Sequence, residues 1–504
     1  MLDWLRNLIG PPKSASRTGR AVSTMQRRAY EAARTTRTNQ KHWAGVGNPE
    51  ADAAIIPNLA TTRARCRNEI RESVHAVGIM RSFTTHMIGP DGPSPQVHIE
   101  EPLAGAPRLA ADDDFAEFAE RAWRDWCEVA DNAGRLHYCD ILTQCVKQFF
   151  GAGEYLYQRV TDPTATGVQL RIKTIAPERL DTPWEMYSDP RVRGGVRIDA
   201  NERPIEYYIL RDHPGSMFGQ MRTAAYDAVP ARDICHVYLS EEAGQTRGEP
   251  WFAPALDDFA QLRDFISDTR VAARIAATMG SAFIHTNHPQ ASFQNFENEE
   301  LPVMDVEAGV AVTLPEGWDV TQFKPEHPST TYNEFVKSGL AMLGRPVAMP
   351  YLLVACDASG HNYSSARLDL QGFWAHIGTI QGFIERCDIT PQFRMVVSEA
   401  ALAAGRRVPR YTVKWTWPPI PSIDQQKEAT ASQTRLQTGV TTMQAECKAM
   451  GADWQEVMQQ QARERAFAEA QGIPYAGDVA GKSGGTQTVN DGNDQNSDGN
   501  AVAA

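Results

Sequence analysis

The residues with the most chemical promise lie in one short stretch, "CDASGHNYSSARLDL", which holds Asp357, His361, Ser364 and Ser365. A serine nucleophile needs a base to take its proton and donors to hold an oxyanion. An aspartate, a histidine and two serines are the right types. Their arrangement argues against that chemistry: there is no GxSxG elbow and no SxxK pair, and nearness in sequence does not orient a triad. Asn362, Ser364 and Ser365 instead precede a helical apolar period, and short polar side chains of this kind cap helix N-termini. The sequence predicts Ser364 and Ser365 as the N-cap of a helix. Leu368, three residues after Ser365, gives no strict capping box.

Other motifs fail on spacing. "GDVAGKS" (477–483) is one residue short of a phosphate loop and lies in a Gly/Asn/Asp-rich tail, and "GAGEYL" lacks the third glycine of a dinucleotide fingerprint. His285 and His288 are joined by no Glu/His helix pattern. The eight cysteines form no CxxC pair, so neither a zinc site nor a disulfide framework is expected. No catalytic residue, metal or cofactor follows from these residues, and a structural or conduit protein does.

The elements around these residues are mixed. At 504 residues, more than one compact unit is expected. Hydrophobic residues are 42% and charged residues 22%, an ordinary globular balance. The net charge of −12 excludes non-specific nucleic-acid binding by the whole molecule, but it is unevenly spread. Residues 1–48 carry nine Lys/Arg against Asp3 and Glu31, a net of +7, which leaves −19 on the rest. This basic arm suits an acidic partner, protein or nucleic acid. The apolar start is too short for a secretory core, and "VAARIAATMGSAFI" is too short, and broken by Arg274, to cross a bilayer. A soluble protein is expected.

Residues 112–130 read as an amphipathic helix with Phe115, Phe118, Ala122 and Trp126 on one face. "VQLRIKTI" reads as a strand, and "GVRIDANERPIEYYIL" as two strands about a polar turn. From Phe252 to about Phe283 the spacing turns helical, roughly 45 Å long and alanine-rich in its second half. A β insert follows, with Trp318 beside the turn "PEG", then a second helix from Thr331 to before Arg345-Pro346. A proline-bracketed apolar stretch leads to Ser364. After it a long helix should kink or restart at Thr390-Pro391, with Thr390 as its cap, and end at Gly405. "YTVKWTWPP" is a strand, residues 422–471 are polar helix, and the tail from Ala476 should be disordered. The fold class is α+β.

Two stretches, "QTRGEPWFAPAL" (245–256) and "NYSSARLDL" (362–370), resemble the portal proteins of tailed bacteriophages, most closely the lambda-type family. "RRAYEAARTTR" and "MIGPDG" (87–92) are similar to it as well. At the tunnel loop the chain departs from the family: Tyr351 is followed by Leu352, where an acidic residue is common.

The resemblance implies a ring of about twelve copies with closed symmetry, through which double-stranded DNA passes. It implies a basic arm (1–48), a wing (49–250), a stem helix (251–284) and a clip (285–330). A second stem helix (331–345), a tunnel loop (346–363), a long kinked helix returning across the wing (364–421), a crown (422–475) and a tail (476–504) follow. Leu353, Val354, Ala355, Asp357, Ser359 and His361 would face the DNA, and Trp318 and Phe323 would dock partners at the clip. The implied partners are the terminase large subunit, head-completion or adaptor proteins, and the major capsid and scaffolding proteins, with assembly in the host cytoplasm and no membrane. Another virion structural protein, or a hydrolase using Ser364 or Ser365, are the competing readings.

Overall fold

The computed structural model describes residues 47–100, 110–217, 225–278, 282–285, 318–321, 332–420 and 425–475. The chain divides into two compact units, Met1–Ala54 and Ile55–Ala504. The described part of the first is an exposed stretch without regular secondary structure, residues 47–50, and the opening turn of α1 (Ala51–Glu72).

Aromatic side chains organise the second unit. α2 (Val74–Ile88) leads to β1 (Ser94–Ile99), and α3 (Ala110–Cys127) to α4 (Tyr138–Ala152). The inward stripe of α3 is Phe115, Ala119, Trp123 and Trp126, with Phe118 and Ala122 only half-buried. The stripe differs from the one read from sequence because it carries both tryptophans inward, where their large apolar area is worth most. Trp123 lies 5.0 Å from the rings of Trp126 and Tyr138 and 5.5 Å from those of Phe393 and Trp415. One cluster of side chains thus ties α3 and α4 to segments almost 300 residues further on (~300 by sequence).

β2 (Glu154–Thr161) lies between β3 (Leu170–Ile175) and β8 (Ile234–Tyr238), antiparallel to both. A second sheet runs β4 (Val192–Arg193), β5 (Val196–Ile198), β6 (Pro204–Leu210) and β7 (Tyr226–Pro230) in order. The hairpin read from "GVRIDANERPIEYYIL" is β5 and β6. Leu156, Ile175, Val196, Tyr207, Ile209 and Ile234 share a smaller core that joins the two sheets.

The long helix is α5 (Leu256–Thr278), preceded by a 3-10 turn at Ala253–Ala255. It spans about 34 Å, shorter than the sequence reading, because Ala282 and Phe283 fall in a strand. That strand, β9 (Ala282–His285), pairs antiparallel with β10 (Trp318–Thr321), Trp318 opposite His285. Gly280 is a poor helix former and "AFI" favours extended chain, which is why periodicity overran the boundary. α6 (Tyr332–Gly344) matches its prediction.

After a one-turn helix, α7 (Tyr351–Val354), come α8 (Tyr363–Ile384), a π turn at Glu385–Ile389 and α9 (Thr390–Ala403). Thr390 is not the cap of a restarted helix: its φ and ψ, −66° and −45°, are helical. Pro391 cannot donate the next helical bond, and a widened turn ahead of it carries the helix through. Gly405, at φ +63°, ends α9 as predicted. β11 (Tyr411–Thr416) pairs antiparallel with β1. The polar helices α10 (Gln425–Gln437), α11 (Met443–Ala449) and α12 (Trp454–Ala470) complete the described chain, the last capped by the Asp453 carboxylate on the Gln455 N–H at 2.7 Å. No helix among the described residues is long and apolar enough to cross a membrane.

Candidate functional site

The segment from Gly344 to Ser365 joins α6 to α8 and holds most of the residues singled out by sequence. It is more ordered than a plain loop. A 3-10 turn at Arg345–Val347 ends in Ala348 at φ 51°, and the Met349 N–H donates to the Gly344 carbonyl at 2.9 Å. Gly344 is required for that turn. A Cβ there would lie 2.3 Å from the Met349 oxygen. Pro350 then opens α7, whose Tyr351, Leu353 and Val354 are half-buried against the main core, as is Ala355.

Beyond α7 the chain turns outward. Asp357 is half-buried; its carboxylate accepts the Tyr351 hydroxyl at 3.2 Å and the Ser359 N–H at 2.9 Å. Hydrogen bonds from the Ser359 side chain first and its N–H next, helped by the Tyr351 hydroxyl and Lys337, hold the Asp357 carboxyl below its ordinary range against burial. Ser359 and Gly360 are exposed, and His361 Nδ1 lies 3.5 Å from Asp369 Oδ2. From Pro346 to Tyr363 there is no Lys or Arg.

The helix start is a correction. Asn362 is the N-cap of α8: its Oδ1 accepts the Ser365 N–H at 2.9 Å, and the Ser365 hydroxyl accepts the Asn362 N–H at 3.0 Å. Ser365 is therefore the third helical residue of a capping box, and Ser364 lies exposed inside the first turn. Asn362 is the cap because it is the last residue with extended backbone, φ −95° and ψ 171°, and Ser365 at the third helical position can return the bond. The cap's ordinary worth of about 1 kcal/mol rests on Asn362 and Ser365. Since the Ser365 hydroxyl is committed to Asn362, and Asp357 to Tyr351 and Ser359, the triad considered from sequence is not assembled.

The segment packs on α6 and on α2, and α6 packs in turn on α5. Phe265 of α5 stacks on Tyr332 at 5.8 Å and meets Phe335 at 4.2 Å, and Leu262 packs over Gly339 of α6. The pair leaves apolar surface open along its length: Val271 is 42%, Phe335 51% and Met342 52% exposed. Trp318 sits on β10 as described, while Phe323 lies outside the described residues, as do "GDVAGKS", His288 and nearly all of the basic arm.

What anchors α5 was not seen in the sequence as chemistry. Ahead of it, Trp251 stacks on Phe149 at 4.9 Å with a 6° interplanar angle, and Phe252 packs edge-on to Phe150 and Phe259. Just before them, Arg247 and Arg63 converge on Glu154, each with an amino nitrogen 2.7 Å from Oε1. Glu154 Oε2 accepts the Gly248 N–H at 2.7 Å and lies 3.1 Å from His236 Nε2. The remaining guanidinium N–H groups donate to the carbonyls of Ala152, Pro177, Leu180, Gly194 and Gly248. Glu154 is fully buried, and Arg63 and Arg247 are 4% and 3% exposed.

Burial alone would raise the Glu154 carboxyl, but Arg247 and Arg63 outweigh it and hold it well below the usual range. Burial pulls Arg63 down to about 10, which leaves it charged. The glycines explain the motif spelling: a Cβ on Gly248 would lie 2.2 Å from the Gly153 oxygen, and one on Gly153 would lie 2.1 Å from Glu249 C. "GAGEYL" and "QTRGEPW" are the two halves of one buried junction. The signal available in sequence was a Gly-Glu and an Arg-Gly pair flanked by aromatics.

Comparison with known proteins gives one family. The model for phage portal protein, lambda family, matches residues 36–381. A probable portal protein of Halomonas phage phiHAP-1 is 26% identical over 350 residues, 68% of this chain and 66% of that one, just under two thirds of its length. The portal protein of Escherichia phage N15 is 23% identical over 492 residues, 88% and 91% of the two chains. Among solved structures, a chain in the neck of an empty GTA particle is similar with a TM-score of 0.43 and 14% identity, over 81% of this chain and 96% of that one.

Proposed function

This chain belongs to the lambda family of phage portal proteins, a structural component of the virion, and from that premise we propose that about twelve copies close into a ring at one vertex of the phage head. Double-stranded DNA enters the head and leaves it through the axial channel. In this reading α5 and α6 are the stem, the residues between them the clip, and residues 346–363 the tunnel loop. The two-sheet region is the wing, and α10 to α12 the crown. The clip, with Trp318 and Phe323 as anchors, meets the terminase large subunit during packaging and head-completion proteins afterwards. Major capsid and scaffolding proteins surround the ring, which assembles in the host cytoplasm.

The observation that carries this reading is the apolar surface left open along the stem pair. Val271, Phe335 and Met342 expose apolar surface on neighbouring helices, and a helix face left uncovered within one chain is covered by another. The loop chemistry fits a conduit. Each Lys or Arg neutralising a phosphate adds affinity and slows a sliding duplex, and the loop offers Leu353, Val354, Ala355, Asp357, Ser359 and His361 with no fixed cation among them. Because Leu353 to Ala355 also lean on the core, the DNA meets a surface held from behind, and Ser359 is the most forward of these residues.

A photoreactive benzoylphenylalanine in place of Ser359 tests the assignment. In packaged heads it should label DNA or the same loop of another copy. Labelling of surrounding capsid protein alone would remove residues 346–363 from the channel.

A further inference from the structure

The connection between β3 and β4 turns large aromatic side chains to solvent. Trp184 is 72% and Tyr187 70% exposed, on the 3-10 turn Trp184–Met186 and the residue after it. Asp181 and Glu185 are exposed beside them, and among the described residues neither carboxylate is in an ion pair. Tyr226, at the start of β7, adds a third ring. Its hydroxyl is held above the ordinary tyrosine range by burial first, then by Asp181, Tyr187 and Glu185.

This face is held rigidly from below. Thr182 is buried, and its hydroxyl accepts the Gly195 N–H at 2.8 Å. Gly195, at φ +86°, lets the chain pass where a Cβ would lie 2.7 Å from the Asp181 nitrogen. The buried guanidinium of Arg247 grips the carbonyls of Leu180 and Gly194 on either side. The outward aromatics are therefore a fixed platform, and exposed aromatic surface on a fixed platform marks a contact.

The chemistry of the face selects its occupant. Aromatic planes next to unpaired carboxylates match guanidinium groups, which stack on indole and phenol rings and fork onto carboxylates. The chain itself carries such a segment: residues 1–48 hold seven arginines between Arg6 and Arg37 at a net charge of +7. It continues into the exposed residues 47–50, which have no regular secondary structure. Forty-six residues can span up to about 150 Å when extended, enough to reach another subunit. We propose that the Trp184–Tyr187 face docks the arginine-rich arm of another copy of this chain, with arginines seated on Trp184 and Tyr187 and paired with Asp181 and Glu185. This links each subunit to a neighbour by a strap separate from the stem contacts. It rests on the ring reading only in needing a second copy at hand.

The test uses full-length protein carrying benzoylphenylalanine in place of Trp184, a position exposed enough to accept it. Isotopically heavy and light chains are assembled together, irradiated and digested, and the crosslinked peptides are read by mass spectrometry. Crosslinks from position 184 into residues 1–48, with mixed heavy–light pairs among them, are expected. Glu185→Arg in the same chain should cut their yield severalfold without changing the particle mass. The probe at Tyr187 should give the same pattern. Arm crosslinks confined to same-label pairs, crosslinks to DNA or to other segments in place of the arm, or a yield indifferent to Glu185→Arg would overturn the proposal. The particle mass, measured on the same sample, reports separately on the ring.

Discussion

Glu154→Ala is expected to destabilise the protein by about 3–5 kcal/mol, the usual cost of removing one partner of a buried ion pair. The loss comes from what is left behind. Arg63 and Arg247, both almost fully buried, would face each other without a counter-charge, and the Gly248 N–H would lose its acceptor. Glu154→Gln keeps an acceptor for Gly248 and should lose less. The junction joins β2 and β8 to the chain entering α5, so loosening it should also free Trp251 from Phe149, visible as a change in tryptophan fluorescence. Urea denaturation of the wild type and both variants measures the difference. A loss no larger than that of a surface substitution would contradict the account.

The pH dependence has a definite sign. The folded Glu154 carboxyl titrates below its unfolded value, so the folded state binds fewer protons over that interval, and stability rises with pH across it. Its contribution is fully present above the unfolded range near ~4.3 and is lost as pH falls from there through the folded value. In Glu154→Gln that part of the acid slope should vanish.

Asp388, on the π turn, is expected to show the opposite behaviour. It is 1% exposed and accepts the hydroxyls of Tyr155, at 2.6 Å, and Tyr157. Asp388→Ala would leave the buried Tyr155 hydroxyl without an acceptor and Tyr157 with only the long bond to Gln392 Oε1 at 3.4 Å, at about 1–3 kcal/mol each, so a total loss of roughly 2–5 kcal/mol is expected. Asp388→Asn retains one oxygen and should cost less. Burial raises the Asp388 carboxyl above its ordinary value, against the opposing pull of the two tyrosines and Arg159. The folded state therefore holds its proton longer, and this group's contribution declines as pH rises from the unfolded value through the folded one. Asp388→Asn should remove that decline while leaving the Glu154 slope in place. If Asp388→Ala unfolded at the wild-type midpoint, the tyrosines would not depend on it.

Those two clusters show where sequence reading stops. Periodicity and proline placed α6 to within a residue, because Arg345-Pro346 punctuates it, and Gly405 marked the end of α9. Strands β5 and β6 were legible from alternation about a polar turn. Glu154 and Arg247, by contrast, are 93 positions apart, and Tyr155 and Asp388 are 233 apart. No local pattern relates such pairs, and a buried carboxylate looks the same in sequence as an exposed one. The cap was ambiguous for a local reason: Asn362, Ser364 and Ser365 are all capping types, and only the backbone, extended at Asn362, selects among them. The stretch from Pro350 to Ser359 was legible as a break between helices. That four of its residues form a turn of helix was not, since four apolar residues after a proline show no period.

The most direct test of the ring is the mass of the purified full-length protein by light scattering at physiological salt, with negative-stain imaging of the same sample. About twelve chains of 55.8 kDa predict a closed ring near 670 kDa with an axial opening. A stable monomer or dimer at micromolar concentration would contradict it.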